Sequence, residues 1–97
     1  MKIILWSADW CGPCQSLKKS GTIDKLAKHF DATLEIRNVE LPRWEKAAEE
    51  LGVKSLPTVD LWRGEKLLAR ALGAESLKTY VKRFTEGEIE KEEEESR

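Results

Sequence analysis

Residues 2–14 of the chain, KIILWSADWCGPC, join a short apolar run to a pair of cysteines. The run over residues 3–6 is rich in β-formers and is typical of a strand buried in a sheet. A helical pattern begins at about Cys11, so the sequence predicts that this cysteine lies at the N-terminus of a helix. Unpaired backbone N–H groups and the positive end of the helix dipole favour a thiolate at such a position.

The spacing of the two cysteines is typical of a dithiol that can form a disulfide and be reduced again. Cys14 follows one helical turn after Cys11, close enough to attack any mixed disulfide that Cys11 forms. Pro13 is tolerated because the first turn leaves its missing N–H without a helical partner, and Gly12 leaves room for a substrate backbone. The segment therefore predicts a redox site with Cys11 as the nucleophile and Cys14 as the resolving thiol.

Composition narrows the class of protein further. The 97 residues suffice for one domain with a modest core, and a net charge of −1 gives no general attraction to nucleic acid or to an anionic membrane. The first apolar run is too short for a membrane span and lacks the pattern of a signal peptide. Both cysteines belong to one motif, which leaves none for a structural disulfide, so we expect a cytoplasmic protein in a reducing compartment. We also expect a monomer.

Hydrophobic periodicity predicts the element order β-α-β-α-β-β-α. Strands are predicted over residues 2–6, 33–39, 58–62 and 66–71, the last two joined by a turn at Arg63 and Gly64, and helices over residues 11–30, 42–51 and from 77, the first interrupted near Gly21. The right-handed crossover rule makes the first two strands parallel, and the hairpin adds two antiparallel strands. An α/β domain over residues 1–85 results, with a four-stranded mixed sheet and helices on both faces.

The end of the chain differs in composition. Residues 86–97 contain seven glutamates, Gly87 as a predicted helix breaker, and Ile89 as the one apolar side chain. Such a segment is expected to form a solvated, flexible acidic tail outside the domain. A tether for a basic partner is the alternative.

Two motifs carry a family resemblance. Residues 10–14, Trp-Cys-Gly-Pro-Cys, follow the first strand, and residues 52–58, Gly-Val-Lys-Ser-Leu-Pro-Thr, precede the third. With a Leu-Gly-Ala turn at residues 72–74, the chain resembles thioredoxin over about residues 1–84. It begins at the strand before the redox motif, without the extra N-terminal strand and helix, as the smaller glutaredoxin-like members do. No glutathione-site signature is visible.

The resemblance implies an activity and a substrate surface. It implies a protein-disulfide reductase that needs no cofactor beyond the Cys11–Cys14 disulfide, acts on disulfide-containing proteins, and takes electrons from a thioredoxin-reductase-like flavoprotein. Pro57 is expected to be cis and to face the cysteines, which frees the Leu56 backbone to pair with an extended substrate. The implied substrate surface around Cys11 consists of Trp10, Gly12, Pro13, Leu56, Pro57, Gly73 and Ala74.

The chain departs from the family pattern where a buried aspartate and a lysine usually pair beneath the second cysteine. Leu5 and Ile36 occupy these positions, so two apolar side chains are expected to replace the ion pair. Asp60 is a possible substitute base, and the alternative is that its side chain points to solvent or to the opposite face of the sheet. The first helix also lacks the proline that often kinks it, and Ser20 and Gly21 are predicted to provide the bend.

Three other functions are consistent with parts of the sequence. A single CxxC supplies two metal ligands and His29 is the only histidine, so no metal site is predicted, although two chains could share one. A protein-binding adaptor with incidental redox activity is the main alternative. An oxidase or isomerase of an oxidising compartment is disfavoured by the Gly-Pro pair between the cysteines.

Overall fold

The computed structural model describes the backbone of residues 1–95 and the side chains of residues 1–86. Its elements follow the predicted order, with the first helix in two parts. They are β1 (Lys2–Ser7), α1 (Gly12–Lys19), α2 (Thr22–His29), β2 (Thr33–Asn38), α3 (Pro42–Glu50), β3 (Thr58–Arg63), β4 (Lys66–Leu72) and α4 (Leu77–Glu95).

The break between α1 and α2 lies at Ser20 and Gly21, as predicted. Gly21 has a φ of 74°, a left-handed conformation that glycine adopts without a Cβ clash. The Ser20 hydroxyl donates to the carbonyl of Leu17 at 2.8 Å and so closes the last turn of α1. The helix axis can therefore change direction between α1 and α2.

The sheet confirms the predicted mixed topology. Its order is β2-β1-β3-β4, with β1 parallel to β2 and antiparallel to β3. The β3–β4 hairpin is also antiparallel. Its turn is formed by Gly64 and Glu65, one residue later than predicted, and Gly64 supplies the positive φ of 59° that a tight hairpin turn requires.

Alternation along β1 divides the core between the two faces of the sheet. Ile3 and Leu5 pack on the face covered by α2 and α4. Ile4 and Trp6 pack on the other face, against Ala48 of α3. These four residues are 0–3% exposed, so β1 is buried on both sides, and its carboxyl end leads directly into the cysteine segment.

Helix α4 differs from the prediction at its C-terminal end. It continues through Gly87 to Glu95, so Gly87 does not break it. One glycine inside a helix costs about 1 kcal/mol, and the glutamates that follow are good helix formers. The domain boundary predicted at residue 86 therefore does not coincide with a helix end. The side chains of residues 87–97 lie outside the described part, and the flexibility of the tail stays a prediction.

Candidate active site

Cys11 and Cys14 form a disulfide, with their Cα atoms 5.3 Å apart. Cys11 is the N-cap residue of α1, and its Sγ accepts the backbone N–H of Cys14 at 3.3 Å. The predicted position of Cys11 at a helix start is confirmed. Once the disulfide opens, the same N–H group and the helix N-terminus favour negative charge on the Cys11 sulfur.

The two sulfurs differ in access. Cys14 is fully buried, whereas Cys11 is 4% exposed. Ala8, Val39 and Leu56 pack against the pair. The small exposed part of Cys11 is therefore the point at which an incoming sulfur can reach the pair, while Cys14 is shielded behind it.

The segment that precedes α1 is held by hydrogen bonds to a single carbonyl. The Ala8 carbonyl accepts the backbone N–H of Cys11 at 3.2 Å and the Gln15 side-chain amide at 2.9 Å. These bonds join the end of β1 to the first turn of α1. Gln15, which the sequence did not single out, thereby fixes the position of Cys11 relative to the sheet.

The loop before β3 lies beside the disulfide. Its Leu56–Pro57 peptide is cis, as predicted, and Leu56 is the residue of this loop that packs on the cysteines. Pro57 is buried, and its carbonyl accepts the N–H of Gly73 at 2.8 Å. The structure thus brings the cysteines, the cis peptide and the Gly73 turn together at one end of the strands, where β1 ends and β3 begins.

The residues proposed for substrate contact differ in exposure. Trp10 is 72% exposed beside Cys11, and Gly12 and Pro13 are exposed as well. Ala74 is exposed, while Leu56 and Gly73 are half-buried. Pro57 adds little open surface of its own. A substrate would therefore meet the cysteine segment and Trp10 before it met the loop.

Tyr80 of α4 anchors the Gly73 turn. Its hydroxyl donates to the Gly73 carbonyl at 3.0 Å and accepts the Glu75 N–H at 3.1 Å. Burial raises the pKa of the Tyr80 hydroxyl, and the hydrogen bond from Glu75 offsets only part of this effect. The neutral phenol is therefore the form that holds the turn.

We expect Tyr80→Phe to lower the free energy of unfolding by about 1–2 kcal/mol at pH 7, because two partly buried backbone groups lose their partner. In the wild type this contribution is present below the unfolded tyrosine pKa of about 10 and is lost as pH rises through the raised folded pKa. Tyr80 is the only tyrosine, so urea unfolding of both proteins from pH 7 to 11 isolates the effect. Parallel alkaline declines in the two proteins would contradict this assignment.

The two apolar residues expected in place of the family's ion pair are paired across β1 and β2. Leu5 is fully buried and lies opposite Ile36 in the β1–β2 register. Ile36 is 47% exposed and lies on the edge strand β2. Leu5 is therefore the buried member of the pair, and Ile36 is open to solvent.

Asp60 cannot substitute for the missing aspartate. It lies opposite Ile4 in the β1–β3 register, whereas Leu5 lies opposite Val59. Strand alternation therefore places the Asp60 carboxylate on the face of the sheet opposite to Leu5. The other expectation for Asp60, a side chain on the opposite face of the sheet, is confirmed.

On that far face the Asp60 carboxylate is fully buried within a hydrogen-bonded cluster. Arg70 donates to it through Nε at 2.7 Å and through Nη2 at 3.0 Å, and Trp6 donates through Nε1 at 3.0 Å. The hydrogen bond with Asp60 raises the pKa of Arg70. Arg70 Nη1 also donates to the Leu51 carbonyl at the end of α3, at 3.0 Å. The cluster joins β1, β3, β4 and α3, and it serves packing rather than the cysteines.

Comparison with known proteins identifies the family. The sequence model of the Thioredoxin family matches residues 1–86. The chain belongs to the thioredoxin family. Thioredoxin 1 from the thermophilic bacterium Thermosipho africanus superimposes with a TM-score of 0.70 at 27% identity, over 99% of this chain and 98% of that one. The oxidised mitochondrial thioredoxin 3 of Saccharomyces cerevisiae gives a TM-score of 0.70 at 25% identity, over 87% of this chain and 76% of that one.

Curated thioredoxins match over a shorter span. Thioredoxin-1 of Drosophila yakuba is 30% identical over 71 residues, which is 73% of this chain and 64% of the relative. Thioredoxin 2 of Plasmodium falciparum is 34% identical over 68 residues, which is 70% of this chain and 42% of the relative. The chain therefore spans less than two thirds of the length of these thioredoxins. The predicted thioredoxin fold and family are confirmed.

Two further observations concern the described residues of this thioredoxin-family protein. Among the described residues, no group of three or more His, Cys, Asp or Glu side chains is arranged to hold a metal ion. No helix in the described part of the chain is long and apolar enough to cross a membrane.

Proposed function

We propose that this protein is a thiol-disulfide oxidoreductase that reduces disulfides in protein substrates. The observation that carries the proposal is the disulfide at the start of α1, in which Cys11 caps the helix and is 4% exposed while Cys14 is fully buried. The helix-cap position of Cys11 and this difference in access support attack by Cys11 and resolution by Cys14. Membership of the thioredoxin family supports the same reaction class.

The reaction balances with the two thiols alone. The Cys11 thiolate attacks one sulfur of the substrate disulfide, which breaks that bond, forms a mixed disulfide and releases one substrate thiolate. Cys14 then attacks the Cys11 sulfur, releases the second substrate thiolate and closes the Cys11–Cys14 disulfide. Two electrons pass to the substrate, and a thioredoxin-reductase-like flavoprotein returns them. The protein needs no cofactor of its own.

Deprotonation of Cys14 proceeds without the usual buried carboxylate. Leu5 occupies that position, and Asp60 is bound to Arg70 on the other face of the sheet. We therefore propose that Cys14 transfers its proton to the departing substrate thiolate or to water at the rim of the site. Attack of Cys14 on the mixed disulfide is then expected to be the step that is slowest in this protein relative to other members of its family.

The surface around Cys11 suits protein substrates more than a small molecule. The open groups are Trp10, Gly12, Pro13 and Ala74, and they form a shallow rim rather than an enclosed pocket. Leu56, Pro57 and Gly73 lie behind this rim. We propose a monomer that acts in the cytoplasm on varied protein disulfides.

Reduction of insulin by dithiothreitol tests the proposal. The wild type is expected to accelerate insulin precipitation, and Cys11→Ser is expected to give the rate of dithiothreitol alone. Circular dichroism of both proteins verifies that the variant is folded. If the wild type is no faster than Cys11→Ser, the protein is not a reductase and the adaptor alternative gains support.

A further inference from the structure

A groove runs from the redox site along α3. It has a volume of about 570 Å³ and begins at Trp10. Its apolar lining comes from Val39, Ala48, Val53 and Leu56. Since Leu56 also packs on Cys11 and Cys14, the groove is continuous with the substrate surface proposed above. The sequence did not predict it, because its walls come from the β2–α3 loop, α3 and the loop before β3.

The rim of the groove is acidic. Glu40, Glu45 and Glu49 line it, against one lysine, Lys54. All four side chains are exposed, and within the described part of the chain none of them takes part in an ion pair. Glu45 and Glu49 are four residues apart and therefore share one face of α3. The carboxylates are thus available to a bound partner.

A groove with an apolar floor and free carboxylates on its rim is complementary to long basic side chains. Lysine and arginine side chains bury their methylene stems on apolar surface while the charged head reaches an acid at the edge. The net charge of the whole chain is only −1, so this preference would come from the groove rather than from a general field. An extended segment with a basic residue near its cysteine satisfies both parts of the groove.

We propose that this groove selects client proteins that carry lysine or arginine beside the disulfide to be reduced. The inference rests on the proposed reductase function and adds its substrate class. The segment would run from Cys11 past Trp10 and Leu56, and place its basic side chain between Glu45 and Glu49. Association would be faster for basic clients, and the preference would weaken at high salt.

Disulfide-linked peptides of matched sequence test this. They carry lysine, glutamine or glutamate two to four residues from the cysteine, and kcat/KM of their reduction is measured at low and high salt. The wild type is expected to favour the lysine peptide over the glutamate peptide by about tenfold at low salt, and by less at high salt. The double variant Glu45→Lys/Glu49→Lys is expected to reverse the order.

Glu50→Lys is the control for the single variant Glu49→Lys, because the two carry the same charge change. Glu50 lies on the same helix, is exposed, and does not line the groove, so Glu50→Lys should preserve the preference for lysine while Glu49→Lys should weaken it. Equal rates for all three peptides, with insulin still reduced, would overturn the groove proposal alone. An equal weakening by Glu50→Lys would also overturn it, because a general field would then explain the effect. Failure to reduce any peptide or insulin would instead count against the reductase function.

Discussion

Cys14→Ser is expected to trap client proteins on Cys11 as stable mixed disulfides. In the folded chain Cys14 is held one turn from Cys11, so it attacks as an intramolecular group. Well-oriented groups of this kind have effective molarities of about 10⁵ M or more, far above any external thiol. Serine cannot replace the thiol, so we expect the mixed disulfide to live at least about a thousandfold longer. Non-reducing gels and mass spectrometry of adducts with oxidised substrate measure this directly.

The double variant Cys11→Ser/Cys14→Ser is the control for trapping. It should capture nothing, because the attacking sulfur is absent. Adducts on Cys14 in a Cys11→Ser protein should be rare, since Cys14 is fully buried. If Cys14→Ser forms no adduct while Cys11 reacts with iodoacetamide like an ordinary exposed thiol, the assignment of Cys11 as nucleophile is wrong.

Arg70→Met is expected to lower the free energy of unfolding by about 3 kcal/mol. The substitution leaves the Asp60 carboxylate fully buried with the Trp6 N–H as its remaining side-chain donor. Removing one partner of a buried pair costs about 3–5 kcal/mol. We expect the lower end, because 21% of the Arg70 side chain is exposed. Urea unfolding followed by tryptophan fluorescence measures the loss.

Arg83→Met provides the comparison for Arg70→Met. Arg83 pairs with Glu75 at 2.9 Å on the surface, where such a bridge contributes about 0–1 kcal/mol. An Arg→Met change is thus expected to cost much more free energy of unfolding at position 70 than at position 83, because the carboxylate that Arg70 pairs with is buried. Equal losses in the two variants would show that the Asp60–Arg70 pair contributes no more than a surface contact.

Much of the fold is determined by short-range features of the sequence. The apolar run of β1, the positive φ required at Gly21 and the spacing of Cys11 and Cys14 each act within one or two turns of chain. The sequence therefore predicts the element order, the mixed sheet, the break in the first helix and the position of Cys11 at a helix start. It also marks Leu5 as an apolar residue where the family has an acid.

What only the tertiary structure decided depends on neighbours far along the chain. Asp60 could be placed only once Trp6 and Arg70 were seen beside it, from positions 54 and 10 residues away. Ile36 is exposed on the edge strand β2, which its own alternation does not reveal. The acidic groove exists because α3 and two loops meet beside the cysteines. Periodicity fixes which residues share a face of one element, whereas the contacts between elements decide which of those faces are covered.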